Sequence, residues 1–80
     1  MKKFEIINDK WIKKIDSPEK EVEAMKLKAI SKISFKEDEV VGSIVLSGDG
    51  VWIMFHYHFK NEFEQFKSDL KFLENLVYNQ

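Results

Sequence analysis

The residues with the clearest chemical potential are two histidines near the end of an apolar segment. His56 and His58 are two positions apart, so a β-strand would direct both imidazoles to the same side. Imidazole nitrogen is a common ligand of zinc and related metals. A metal site needs a third ligand, and the sequence places no acidic residue next to this pair. We therefore interpret both as surface side chains. A small enzyme or metal-binding protein that uses His56 and His58 ranks third among the functional hypotheses.

Other catalytic arrangements are weaker still. Ser43 and Ser47 have no flanking nucleophile-elbow motif. The segment Ser47-Gly48-Asp49-Gly50 lacks the long glycine pattern and the lysine of a phosphate-binding loop, and a hairpin turn explains it. The chain has no cysteine, which excludes thiolate nucleophiles, thiolate metal ligands and disulfides. The sequence thus predicts a protein that is not an enzyme and that uses no cofactor.

Length and composition predict one small globular domain over residues 1–80. Apolar residues make up 44% of the 80 residues and aromatic residues 14%, which is too hydrophobic for a disordered chain. The longest apolar run, Val51 to Phe55, is far too short to cross a bilayer. No segment resembles a secretory signal. We expect a cytoplasmic protein without a membrane partner.

All thirteen cationic side chains are lysine. Lysine is a point charge, whereas the arginine fork binds phosphate or guanine through two parallel hydrogen bonds. A lysine-only composition is typical of AT-rich coding sequences and suggests a low-GC bacterium, a phage or a mobile element. The net charge of −1 means that any electrostatic attraction must be local.

The C-terminal segment predicts an amphipathic helix over about residues 62–78. Asn61 is a candidate N-cap, and Glu62 and Glu64 suit the positive end of a helix. Apolar residues then recur three and four positions apart, which is the spacing of one helix face. These residues are Phe63, Phe66, Leu70, Leu73 and Val77, with Phe72 and Leu76 beside them.

An antiparallel meander over about residues 23–60 is predicted before this helix. Residues 40–47 and 51–60 are rich in β-branched and aromatic residues, and Gly48-Asp49 between them suits a two-residue turn. Residues 25–36 alternate apolar and polar side chains, which favours a strand from about residue 23. A helix that starts at Ser17-Pro18-Glu19 is the alternative for residues 18–33.

Strand alternation sorts the meander into two faces. We place Leu46 opposite Val51 and Phe35 opposite Val40, with the second turn at Glu37-Asp38. One face then carries an apolar set that the helix should cover: Met25, Leu27, Ala29, Ile33, Phe35, Val40, Ile44, Leu46, Val51, Ile53, Phe55, Tyr57 and Phe59. The predicted fold is therefore α+β, with one antiparallel sheet of four to five strands and one helix on a face. Residues 4–7 and 11–15 predict an additional hairpin around Asn8-Asp9-Lys10.

The opposite face combines an apolar centre with lysines, and a bare sheet face of this kind is uncommon in a monomer. Its candidate partner-binding residues are Ile30, Val41, Val45, Trp52, Met54, His56, Lys26, Lys28 and Lys32, flanked by Ser43, His58 and Lys60. Three interpretations remain open at this stage. The N-terminal segment with Trp11, Ile12 and Ile15 covers the face, a protein partner or a second copy binds it, or single-stranded nucleic acid stacks on Trp52.

We favour a small non-enzymatic protein-binding module, of the inhibitor or adaptor type, that acts through an exposed sheet face centred on Trp52. A single-stranded nucleic-acid-binding domain that uses the same lysine, tryptophan and histidine side chains is the alternative. The two hypotheses share a surface and differ in what binds there.

Overall fold

The computed structural model describes residues 1–15 and 23–79 and has an α+β fold, as predicted. The strands form two three-stranded antiparallel sheets rather than the one sheet of four to five strands that the sequence predicts. The first sheet contains β1 (Phe4–Ile7), β2 (Trp11–Lys14) and β3 (Ala24–Lys26). The second contains β4 (Lys32–Glu37), β5 (Val41–Gly48) and β6 (Val51–His58). Helix α1 (Phe59–Tyr78) follows directly.

The N-terminal hairpin is confirmed. Residues Asn8 and Asp9 turn the chain with φ angles of 53° and 56°, and the Lys10 N–H donates to the Ile7 carbonyl at 3.0 Å. Asn and Asp accept such positive φ angles more readily than other non-glycine residues do. The turn therefore sets the β1–β2 register, in which Ile7 lies opposite Trp11.

The predicted strand over residues 23–36 is interrupted, and this break divides the meander into two sheets. A single 3₁₀ turn, Leu27–Ala29, separates β3 from β4. Strict alternation would send Leu27 and Ile30 to opposite faces, but the turn rotates the chain so that both are buried. The Leu27 N–H donates to the Lys10 carbonyl at 2.8 Å, and the Ser31 N–H donates to the Ser47 carbonyl at 2.9 Å. Each side of the break thus pairs with a different sheet.

The alternative helix start at Ser17-Pro18-Glu19 lies outside the described residues. Within the described part of 18–33, residues 24–26 form a strand and 27–29 the 3₁₀ turn. No helix in residues 1–15 and 23–79 has both the length and the apolar content that a bilayer crossing requires.

The meander over β4, β5 and β6 is confirmed, although both of its registers are shifted. Leu46 lies opposite Ile53, not Val51, and Phe35 lies opposite Ile44, not Val40. The β5–β6 turn is Asp49-Gly50, with φ angles of 52° and 77°, rather than Gly48-Asp49. Each shift is an even number of residues, so every side chain stays on its predicted face.

Helix α1 packs on the predicted face of the second sheet, called here the inner face. Five residues of β5 and β6 are almost fully buried there: Ile44, Leu46, Ile53, Phe55 and Tyr57. The helix contributes buried Phe66 and Leu73 and partly buried Leu70, Leu76 and Val77. The predicted helix stripe is therefore correct at its centre.

Three residues predicted for the core lie on the correct side but remain exposed. Phe35 is on the edge strand, Val40 in the β4–β5 connection and Val51 at the tip of the β5–β6 hairpin. All three are at least half exposed because they lie at the margins of the sheet, where the described residues cover them only in part. Alternation predicts which side of the sheet a residue faces, but it does not predict how completely that residue is buried.

The first sheet closes the side of the same core. Ile12 and Met25 are buried and face each other across β2 and β3. The ring centroid of Phe4 is 5.3 Å from that of Phe55 and 5.9 Å from that of Phe72 on the helix. Strand β3 contacts β6. The first sheet therefore packs beside β6 and the helix.

The strand-to-helix junction depends on Glu62 rather than on the predicted Asn61 cap. The helix begins at Phe59, and Glu62 departs from helical geometry with φ −125° and ψ 15°. Its carboxylate accepts a hydrogen bond from the His58 backbone N–H at 2.9 Å and lies 2.8 Å from Lys3 Nζ. The hydrogen bond and the lysine hold the pKa of the Glu62 carboxyl below its usual value. This buried carboxylate thereby ties the N-terminal segment to the start of the helix.

Candidate binding face

The outer face is the side of the second sheet opposite α1, and it is built from the alternate residues of β4, β5 and β6. Paired residues in antiparallel strands share a face, so the observed register defines its rows. The rows are Lys32–Ser47–Trp52, Ser34–Val45–Met54, Lys36–Ser43–His56 and Val41–His58. At strand spacings of about 4.8 Å, the three columns of side chains span about 10 Å from β4 to β6.

Trp52 is the most exposed large apolar side chain of the outer face. It is 61% exposed, whereas Phe55 on the same strand is 1% exposed. Val45 and Met54, in the adjacent row, are half-buried, and Val41 is 38% exposed. The centre of this face is thus apolar and accessible, with an aromatic side chain at one end.

The interpretation in which the N-terminal segment covers the outer face is wrong. Ile12 is fully buried in the core on the helix side, and Phe4 from the same hairpin contacts Phe55 on the inner face. Trp11 and Ile15 are themselves about 40% exposed. The described part of the N-terminal segment belongs to the inner core and leaves Trp52 uncovered.

The structure brings together most of the predicted contact residues and separates three. Val41, Val45, Trp52, Met54, His56 and Lys32 share the outer face. Ile30 is 7% exposed and belongs to the core. Lys26 lies on β3 of the other sheet, with its Nζ 5.6 Å from the centroid of the Trp11 ring. Lys28 lies in the 3₁₀ turn and, with Lys26, lines a groove near the C-terminal end of α1.

Lysines flank the outer face on two sides. Lys3 and Lys14 line a recess with His56 and His58, and strand β4 supplies Lys32 and Lys36. Lys32 and Lys36 are exposed, and in residues 1–15 and 23–79 neither forms an ion pair. Lys36 and its neighbour Ser34 are missing from the predicted set. Both residues are an even number of positions from Lys32 on the same strand. Strand alternation therefore predicted that they share its face.

A shallow depression lies at the histidine end of the outer face. Val41, Ser43, Met54 and His56 are among its lining residues, and His58 borders it. Both imidazoles are on the predicted side and exposed. Among the described residues, no group of three His, Cys, Asp or Glu side chains could hold a metal ion.

The sheet beneath the outer face is held rigidly on its other side. The Tyr57 hydroxyl donates to Asp69 Oδ2 on α1 at 2.8 Å, and the Tyr57 ring packs edge-on against Phe66, with centroids 5.4 Å apart. Burial, followed by the adjacent Asp69 carboxylate, raises the pKa of the Tyr57 hydroxyl. Because Tyr57 lies between His56 and His58 on β6, this contact anchors to the helix the strand segment that carries both histidines.

Comparison with protein-family models, curated proteins and solved structures finds no match to this chain.

Proposed function

We propose that this protein is a small non-enzymatic binding module that contacts a partner protein through the outer face. The observation that carries the proposal is the exposure of Trp52 beside Val45 and Met54. Interface centres are enriched in tryptophan and methionine, and truncation of such a tryptophan often removes a large share of the binding energy. An inhibitor or an adaptor acts in this way, by occupying a surface of its partner.

The charge distribution indicates the chemistry of the partner. Lys32 and Lys36 border the apolar centre along β4. A complementary surface has an apolar patch that packs on Trp52 and carboxylates that face these lysines. Rim charges of this kind mainly steer association and set specificity, whereas the buried apolar centre supplies most of the affinity.

The positions of Lys26 and Lys28 support a protein partner over single-stranded nucleic acid. A nucleic-acid track combines a continuous row of cations with several stacking rings. Both of these lysines lie near the C-terminal end of the helix instead. Strands β4, β5 and β6 place two lysines and one tryptophan on the outer face, which suits a compact apolar patch better than a phosphate track.

Site-specific photocrosslinking in the source cells tests the proposal. A photoreactive residue is introduced at His56, on the outer face, and, as a matched control, at Lys71, an exposed helix position. We expect one protein to be crosslinked from position 56 and not from position 71. With that protein purified, Trp52→Ala should weaken binding about 30-fold or more, which corresponds to a loss of about 2 kcal/mol. Lys71→Ala should change binding less than about twofold.

Two results would contradict the proposal. Crosslinking of the same protein from both positions, with equal affinity for the Trp52→Ala variant, would move the contact away from the outer face. A salt-dependent complex with a thymidine oligonucleotide that Trp52→Ala abolishes would replace the protein partner with single-stranded nucleic acid.

A further inference from the structure

Strand β4 forms an open edge of the second sheet. It pairs with β5 and, among the described residues, has no neighbour on its other side. The Asp38 N–H donates to the Val41 carbonyl at 2.9 Å, and hydrogen-bonded pairs recur every second residue in an antiparallel ladder. The backbone N–H and C=O groups of Ile33, Phe35 and Glu37 therefore point away from β5. These groups are available to a further strand.

Lysines are the main protective side chains of this edge. Natural edge strands are commonly protected by lysine, by proline, by a covering segment or by inward-pointing charge, and β4 carries Lys32 and Lys36. Strand β4 has no proline, and Phe35 at its middle is 57% exposed although it lies on the inner face. Ile33 next to it is only partly buried. A strand added here would cover both apolar side chains as well as the backbone groups.

We propose that the chain forms a two-fold symmetric dimer by antiparallel pairing of β4 with β4 of a second copy, with Phe35 opposite the partner's Phe35. This contact uses the edge of the sheet and leaves Trp52, Val45 and Met54 uncovered, although its charge pairs include Lys32 of the outer face. It joins the two second sheets into one continuous sheet. Because such a two-fold axis is perpendicular to the sheet, both Trp52 side chains face the same side.

The charged side chains of β4 favour this register over the two registers adjacent to it, which are centred on Ser34 and on Lys36. With Phe35 on the axis, each Lys32 lies opposite the partner's Asp38, and each Lys36 lies opposite the partner's Ser34. A shift that places Ser34 on the axis puts Lys32 opposite the partner's Lys36, and a shift to Lys36 puts two lysines directly opposite each other. Like charges in directly opposed positions are destabilising, whereas opposite charges and aromatic pairs stabilise.

The same register also uses all of the outward-pointing backbone groups. Ile33 lies opposite the partner's Glu37, Phe35 opposite the partner's Phe35, and Glu37 opposite the partner's Ile33. Each is a hydrogen-bonded pair, so about six backbone hydrogen bonds connect the copies. The lysines on this edge therefore set the alignment of the two strands instead of preventing their association.

A charge-exchange experiment tests both the dimer and its register. Solution mass is measured by light scattering over a range of concentrations for the wild-type chain, for Lys32→Asp, for Asp38→Lys and for the double variant. Each single variant places two like-charge pairs in the interface, so its dimer should dissociate at least about tenfold more readily. The double variant restores two opposite-charge pairs and should dimerise within about threefold of the wild type.

Mixing the two single variants supplies a further test. Their charges are complementary to each other and not to themselves, so the mixture should form a mixed dimer. Circular dichroism of each single variant checks that the monomer is folded, and both substitutions lie at exposed positions. A wild-type chain that stays monomeric at every concentration would overturn the proposal. So would dimers that persist in both single variants, or single variants that fail to associate when mixed.

Discussion

Truncation of two aromatic residues on strand β6 should have very different effects on stability. Trp52 is 61% exposed, so about two-fifths of its surface contacts neighbours, whereas Phe55 is 1% exposed. A fully covered tryptophan buries at most about 250 Å², so about 100 Å² is at stake at position 52. At about 25 cal/mol per Å² this gives an upper value of about 2.5 kcal/mol. Because the unfolded chain already buries part of that area, we expect Trp52→Ala to cost about 1–2 kcal/mol.

Phe55→Ala is the matched comparison. It removes a ring from the fully packed core and should cost about 3–5 kcal/mol, a large part of the total stability of a small domain. The assay is urea unfolding at a low, fixed protein concentration, since association also stabilises a fold. Equal losses for the two variants would show that Trp52 is covered in the free protein and would refute the argument for an exposed outer face.

Three further outcomes follow from the contacts of the core. Glu62→Gln should cost about 1.5–3 kcal/mol near neutral pH, because it removes a charged hydrogen-bond acceptor. The folded-state pKa of Glu62 is lowered, so its contribution to stability is present above the unfolded pKa and is lost as pH falls through the folded pKa. Between pH 7 and pH 3, the Glu62→Gln variant should therefore lose less stability than the wild type. Tyr57→Phe should cost about 1 kcal/mol in the same unfolding assay, by loss of the hydrogen bond to Asp69. Because folding raises the pKa of Tyr57, the wild type should lose stability as pH rises above about 10, and the variant should lose less. Gly48→Ala should lower the midpoint of thermal unfolding, because its Cβ would overlap the Ala29 carbonyl oxygen; an unchanged midpoint would contradict the described contact between the 3₁₀ turn and β5.

The two-residue period of a strand explains why the sheet faces could be predicted from the sequence. The predicted partners Leu46 and Val51 were wrong by two residues, yet Leu46, Ile53 and Phe55 are buried together as expected. An even shift of register leaves the side of every residue unchanged. The helix stripe around Phe66 and Leu73 was predictable for a similar reason, since its spacing is local.

The division into two sheets was not predictable from the same alternation. It depends on the 3₁₀ turn at Leu27–Ala29, which brings Ile30 into the core and separates β3, which pairs with β2, from β4. No feature of the sequence around Leu27–Ala29 indicates that the Leu27 N–H will donate to the Lys10 carbonyl. That partner is distant in sequence, and the competition between tertiary contacts decides the break.

The same break explains the errors in the candidate site. A continuous strand would have aligned Lys26 and Lys28 with Lys32 along one edge. The turn leaves the first two beside Trp11 and the end of the helix, and the β4 side of the outer face carries Lys32 and Lys36 instead. The apolar centre needed no such alignment, because Val45 and Met54 lie in two strands joined by a short turn.

Quenching of Trp52 fluorescence shows whether the outer face is open in the free protein and covered in the complex. The variant Trp11→Phe leaves Trp52 as the sole tryptophan, and acrylamide quenching is measured with the protein alone and with the purified crosslinked partner at saturation. We expect strong quenching of the free protein and marked protection in the complex. Protection in the free protein would mean that the outer face is already covered, and undiminished quenching in the saturated complex would mean that the partner binds elsewhere.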